Sequence, residues 1–168
     1  TGNITGCMLE ITKCGVFNIQ VSVLGTTHTQ TLTVNKANLP VGTEEGQAQI
    51  VVKAFDANGI EVPYRYAGGW NIGDFKYIET ELINNVGGGE IFDYSYYHYA
   101  TDGSGSRIYV GQDIPRNTEF IGGRYVIRVI VNESDLYMPA MIEKTFLVKP
   151  PIEYFIPQDT VYTEYSNL

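Results

Sequence analysis

The sequence predicts an all-β protein whose antiparallel strands pack as a sandwich, and three observations carry that reading. Apolar side chains recur at every second position over strand-length runs, the period of a chain that buries one face and wets the other. Tyr (13), Phe (7), Val, Ile and Thr are abundant, while the strong helix formers Ala and Leu are sparse. Clusters of Gly, Asp and Asn separate the alternating runs, as tight turns require.

Taken in order, the first alternating run is Phe17, Ile19, Val21 and Val23, set against Asn18, Gln20 and Ser22. The Thr-rich stretch ending in Thr31–Lys36 follows as a last strand, with His28 facing out. Ala48, Ile50, Val52 and Ala54 form the next apolar face and lead into the turn Asp56-Ala57-Asn58-Gly59. Gly68-Gly69 marks a further turn, and a short helix is expected around Tyr77–Asn84 before Gly87-Gly88-Gly89. The segment Phe92 to Tyr99 reads as a strand with Phe92, Tyr94, Tyr96 and His98 on one face and Asp93, Ser95, Tyr97 and Tyr99 on the other. After Asp102-Gly103-Ser104-Gly105 and Gly122-Gly123 comes Tyr125, Ile127, Val129 and Val131, a strand apolar on both sides because Val126 and Ile130 interleave.

An internal repeat organises these elements. Gly15-Val16-Phe17-Asn18-Ile19-Gln20-Val21-Ser22-Val23 and Gly123-Arg124-Tyr125-Val126-Ile127-Arg128-Val129-Ile130-Val131 both read Gly-x-aromatic-x-Ile-x-Val-x-Val. Thr31-Leu32-Thr33-Val34-Asn35-Lys36 matches Thr145-Phe146-Leu147-Val148-Lys149-Pro150. Two copies of a penultimate and a last strand are present, and only the second has a domain's length of chain before it.

Those residues resemble filamin-type and bacterial immunoglobulin-like repeats, which carry Gly-x-Tyr-x-Ile-x-Val near their end and a last strand reading Phe-x-Val. Near their start such repeats have a strand running into Asp-x-x-Gly, here Val51 to Gly59. The resemblance implies an immunoglobulin-like antiparallel β-sandwich. On this reading residues 1–36 are three terminal strands of an incomplete domain, 37–150 a complete sandwich, and 151–168 an extended tail with candidate donor strands. The longer, Tyr- and Gly-rich stretch from Ala67 to Phe120 departs from a minimal repeat.

The net charge of −8 repels phosphate backbones, so nucleic-acid binding lacks its main source of affinity. No run approaches the roughly 18 apolar residues of a membrane helix, and no direct membrane insertion is expected. The 43% hydrophobic content is too high for a disordered chain. The sequons Asn3-Ile4-Thr5 and Asn132-Glu133-Ser134 make Asn3 and Asn132 glycosylation candidates and point to the cell exterior or cell surface. Cys7 and Cys14 are disulfide candidates. As the ends of a strand they lie about 23 Å apart, against the roughly 7 Å a bridge permits. They pair with each other only if the segment turns back; otherwise they are free or bonded to another chain.

No phosphate loop, zinc-protease or serine-hydrolase motif occurs. His28 and His98 lack a carboxylate at an enforced spacing, so solvated or packing roles are expected, with no catalysis and no cofactor. The acidic turns at Asp56 and Asp102 supply too few oxygens for calcium and are read as turn chemistry. Trp70, Tyr94, Tyr96, Tyr97 and Tyr99 are candidates for glycan or protein contact, with core or edge packing as the plainer role.

The expected function is that of an extracellular structural subunit. Residues 1–36 lack a covering half, whereas Ile152, Tyr154, Ile156, Val161 and Tyr162 offer strand-like residues without a domain. Head-to-tail complementation, with Phe17, Ile19 and Val21 meeting a neighbour's tail, yields a homopolymeric fibre. The alternative is a carbohydrate-binding or adhesive immunoglobulin-like module of a larger cell-surface protein, with glycans as partners.

Overall fold

A computed structural model describes residues 10–65 and 68–150, and within them ten strands form three sheets with no helix. Strands β1 (Gly15–Val23) and β2 (Thr26–Val34) make a hairpin of their own. The other strands are β3 (Gln49–Phe55), β4 (Glu61–Val62), β5 (Trp70–Asn71), β6 (Tyr77–Ile83), β7 (Ile91–Tyr99), β8 (Gly105–Val110), β9 (Gly123–Val131) and β10 (Ala140–Lys149). They form a five-stranded sheet in the order β5-β10-β9-β7-β8 and a three-stranded sheet in the order β4-β3-β6. Every strand pairing is antiparallel except β5 with β10.

Alternation decides what each strand buries. Ile50 and Ala54 of β3 and Ile78 of β6 share one core with Tyr94 and Tyr96 of β7, Tyr125, Ile127, Val129 and Val131 of β9, and Ile142, Phe146 and Val148 of β10. This is a sandwich of two sheets, each contributing the inward half of a period-two pattern.

The segment Tyr77–Asn84, expected to be helical, instead supplies β6. Its seven residues pair with β3 in unbroken register, from Tyr77 opposite Phe55 to Ile83 opposite Gln49. Ile78 and Thr80 are buried while Glu79 and Glu81 are exposed, an alternation that a helix cannot divide between core and water. Strand β7 also departs from a simple alternation. A bulge between Ile91 and Asp93 turns Phe92 outward, leaving it 73% exposed instead of on the face of Tyr94 and Tyr96.

The first 36 residues form two strands among those described, and these reproduce the pairing of β9 with β10. Gly15 pairs with Val34 and Phe17 with Leu32, just as Gly123 pairs with Val148 and Tyr125 with Phe146. Gly15 and Gly123 share the same backbone bend, with φ of 147° and 149°, which side chains rarely tolerate. At Gly123 a Cβ would also strike His98 and the carbonyl of Tyr99, so the glycine answers to packing as well as conformation.

The base of the hairpin is clamped to the loop joining β9 and β10. The Cys14 amide donates to the Asp135 carbonyl at 2.9 Å and the Ala37 amide to the Leu136 carbonyl at 2.9 Å. The Met138 amide returns a bond to the Ala37 carbonyl at 2.8 Å, and Lys36 pairs with Glu133 at 2.8 Å. Leu39, just beyond, is buried in the main core. Above this base the hairpin is exposed to solvent along most of its length.

Candidate functional site

Two surfaces are candidates for a functional site: the face of the β1–β2 hairpin that carries Phe17, Ile19 and Val21, and the outward face of the large sheet around Tyr97 and Tyr99. Register places Phe17, Ile19, Val21 and Val23 of β1 on one face with Leu32 and Val34 of β2, and with Gln30, His28 and Thr26, which stand opposite Ile19, Val21 and Val23. The opposite face is polar, with the Ser22 and Thr27 hydroxyls 2.9 Å apart and Thr31 Oγ1 donating to Asn18 Oδ1 at 3.0 Å. In the sandwich, the matching residues Tyr125, Ile127, Val129 and Val131 are all 2% exposed or less. In the hairpin Phe17 and Ile19 are only half-buried, and Val21 and Val23 are 52% and 48% exposed. The same sequence pattern therefore has its covering sheet in one place and none among the described residues in the other.

On the large sheet, Tyr97 and Tyr99 point outward, Tyr97 with two guanidinium groups over its ring and Tyr99 with one. Arg107 and Arg128 lie 5.4 and 4.9 Å from the centre of Tyr97, and Arg124 lies 4.5 Å from that of Tyr99. Arg128 is held by Glu143 at 2.7 Å, and Arg107 approaches Asp93 at 3.9 Å. A hydrogen bond from Ser95, then one from Arg107 and the charge of Arg107 and Arg128, hold the Tyr97 phenol below its ordinary range. Spacing along the chain does not reveal these stacks, because the arginines come from β8 and β9.

Of the two roles expected for Trp70, Tyr94 and Tyr96, core packing is the one they take, and the contact role is corrected. Trp70 is 3% exposed, wedged against Tyr64, Phe75 and Phe146, and its indole N–H donates to the Val62 carbonyl at 2.9 Å. Tyr94 and Tyr96 are 4% and 1% exposed. The Tyr96 hydroxyl meets Thr80 Oγ1 and donates to the Gln112 carbonyl at 2.9 Å. Burying these rings gives the core aromatic area, and the polar ends of Trp70 and Tyr96 are paired within it, so none of the three presents a face to a glycan. Tyr97 and Tyr99 stay at the surface, each with arginine over its ring.

Burial pushes the phenols of Tyr96, Tyr94 and Tyr125 above their ordinary value. The folded state then holds its protons more tightly than the unfolded chain does. Stability from these groups is complete below about pH 10, the unfolded value, and falls as pH rises through the folded values. Urea midpoints measured from pH 8 upward are expected to stay level and then drop above about pH 10, together with phenolate absorbance.

His28 is exposed on β2, whereas His98 is nearly buried, with Nε2 3.1 Å from the Gly122 carbonyl and its ring against Tyr125. Asp56 Oδ1 accepts the amides of Asn58 and Ile60, both at 2.8 Å, and Asp102 Oδ1 accepts the amide and hydroxyl of Ser104. Both carboxylates are thus occupied in closing turns. Among the described residues, no three His, Cys, Asp or Glu side chains gather as a metal site. Cys14 sits at the clamp, its Sγ 3.8 Å from the Leu136 carbonyl. Asn132 is exposed beside the same loop, its amide donating to the Glu90 carbonyl at 2.8 Å. Asn3, Cys7, Ile152, Tyr154, Ile156, Val161 and Tyr162 lie outside the described residues.

Comparison of the chain with known protein families, curated proteins and solved structures finds no match.

Proposed function

We propose that this chain is a non-enzymatic, immunoglobulin-like structural subunit of the cell exterior that assembles head-to-tail into a fibre. The observation that carries the reading is the β1–β2 hairpin, which repeats β9–β10 in sequence and register yet leaves its apolar face uncovered among the described residues. A partly exposed face carrying Phe17, Ile19, Val21, Val23, Leu32 and Val34 on a two-stranded ribbon calls for a partner, because such a ribbon is marginal alone. Donation of strands from the 151–168 tail of a neighbouring copy satisfies it. The contact joins two different surfaces, so it propagates instead of closing.

The immunoglobulin-like part of the proposal draws support from β9 lying between β7 and β10, with β8 outermost. Tyr125, near the start of β9, bonds back through its hydroxyl to both the amide and the carbonyl of Ile121, each at 3.0 Å, in the manner of a tyrosine corner.

Deleting residues 152–168 tests the proposal. The full chain is expected to form fibres visible by negative-stain microscopy. The truncated variant is expected to lose them while keeping its cooperative melt and its β-sheet circular dichroism. Unchanged assembly of the truncated protein, or a full chain that stays monodisperse at high concentration, removes strand donation by the tail.

A further inference from the structure

One arginine of the large sheet differs from the others. Arg65, Arg107, Arg116 and Arg128 each lie between 2.7 and 3.9 Å from a carboxylate, whereas Arg124 has none beside it among the described residues. Its guanidinium lies 4.5 Å from the centre of the Tyr99 ring. Stacking of this kind orients the group and leaves its in-plane N–H donors to bind an oxyanion. Arg124 lines a cleft of about 520 Å³ where the chain leaves β10, together with Tyr99, Leu147, Val148, Lys149 and Pro150. The walls are mostly apolar, and neither cation, Arg124 or Lys149, is paired with a described carboxylate.

The residues that follow Pro150 carry what this cleft lacks. Pro150 packs against Gly122, where a Cβ would come within 3.3 Å of Pro150 Cδ, so the 151–168 tail begins at the cleft wall. The tail holds Glu153, Asp159 and Glu164 and no Lys or Arg, and Ile152, Tyr154, Phe155 and Ile156 flank the first carboxylate with apolar groups. Glu153 is three residues beyond Pro150, a span of about 10 Å when extended. Arg124 is two residues from Gly122, so two long side chains bridge what remains. The hairpin competes for the tail on other terms, because residues 15–35 contain no Asp, Glu, Lys or Arg. It offers apolar surface and no partner for a carboxylate.

We infer that in the unassembled chain the start of the tail docks in its own cleft, with Glu153 on Arg124 and its apolar neighbours against Tyr99 and Leu147. This contact opens before the tail is donated to the hairpin of a neighbour. The inference rests on the strand donation proposed above and adds to it a regulator. Docking within one chain is independent of concentration, whereas donation grows with it, so the contact keeps dilute chains apart.

Chymotrypsin cleavage after Tyr154 and Phe155 reads the contact in the full chain, kept too dilute for fibres. Rates are taken relative to the free 150–168 peptide of the same sequence. Arg124→Glu is expected to speed cleavage about fivefold, the worth of an exposed ion pair. Combining it with Glu153→Arg is expected to restore the parent rate. Arg107→Glu, the same change of charge outside the cleft, is expected to leave the rate unaltered. At higher concentration, Arg124→Glu is expected to lower the concentration needed for fibres by a similar factor. Cleavage that ignores Arg124→Glu, or that answers equally to Arg107→Glu, overturns the docked tail. Protection that strengthens with chain concentration also overturns it, because the cleft is then filled by another copy. If fibres form in these cases, strand donation stands without the regulator. Cleavage that follows Arg124 in a chain that never forms fibres keeps the docked tail and removes donation.

Discussion

Ile127→Asp is expected to abolish folding of the sandwich. Ile127 is fully buried at the middle of β9, opposite Tyr96 on one side and Lys144 on the other, with its side chain in the shared core. The core around it is apolar apart from Lys144, half-buried directly opposite on β10, and bringing a carboxylate into such surroundings costs several kcal/mol. Total stability of a domain is about 5–15 kcal/mol, so the loss consumes most or all of it. Circular dichroism is expected to show no cooperative melt for Ile127→Asp. By contrast, Ile127→Val, which removes one methyl, is expected to lose only about 0.5–1.5 kcal/mol. An Ile127→Asp variant that melts like the parent means that β9 is not at the centre of the core.

Phe146→Ala is the second large effect, and it tests the aromatic end of the sandwich. Phe146 is 2% exposed, stacked on Tyr125 at 5.1 Å with the ring planes 10° apart, and it meets the edge of Trp70 at 5.6 Å. Trp70 in turn packs on Phe75, and Phe75 on Phe120, so one ring supports a continuous aromatic layer. Truncation leaves a cavity that the surrounding strands cannot close, because β10 is held by β9 on one side and by β5 on the other. The expected loss is about 3–5 kcal/mol, read from urea unfolding followed by Trp70 fluorescence. A loss within about 0.5 kcal/mol, the range of a surface substitution, contradicts the layer. The matching position in the hairpin is Leu32, which has no such layer around it, so the repeat is a repeat of register and not of environment.

Sequence by itself determined the class of this protein and much of its strand pattern. Period-two runs at β1, β3 and β9 follow from the requirement that one face be dry, and that requirement is written into local composition. The repeat between residues 15–36 and 123–150 was legible to the level of register, since pairing of Gly15 with Val34 and of Gly123 with Val148 follows matched residues. Tyr77–Ile83 misled because flanking glycines obscure a seven-residue alternation; pairing with β3 makes it a strand. Tertiary structure alone decided which aromatic residues are surface. Trp70, Tyr94 and Tyr96 read equally as contact or as core residues in Tyr- and Gly-rich surroundings; the core takes in all three rings and pairs the polar ends of Trp70 and Tyr96. The arginine stacks on Tyr97 and Tyr99 come from different strands, and the 112–116 segment reaches β6 only through the fold, with Arg116 on Glu79 and over Tyr77. The physical reason is common to all of these: alternation specifies that a side of a strand must be covered, but only the arrangement of the sheets determines what covers it.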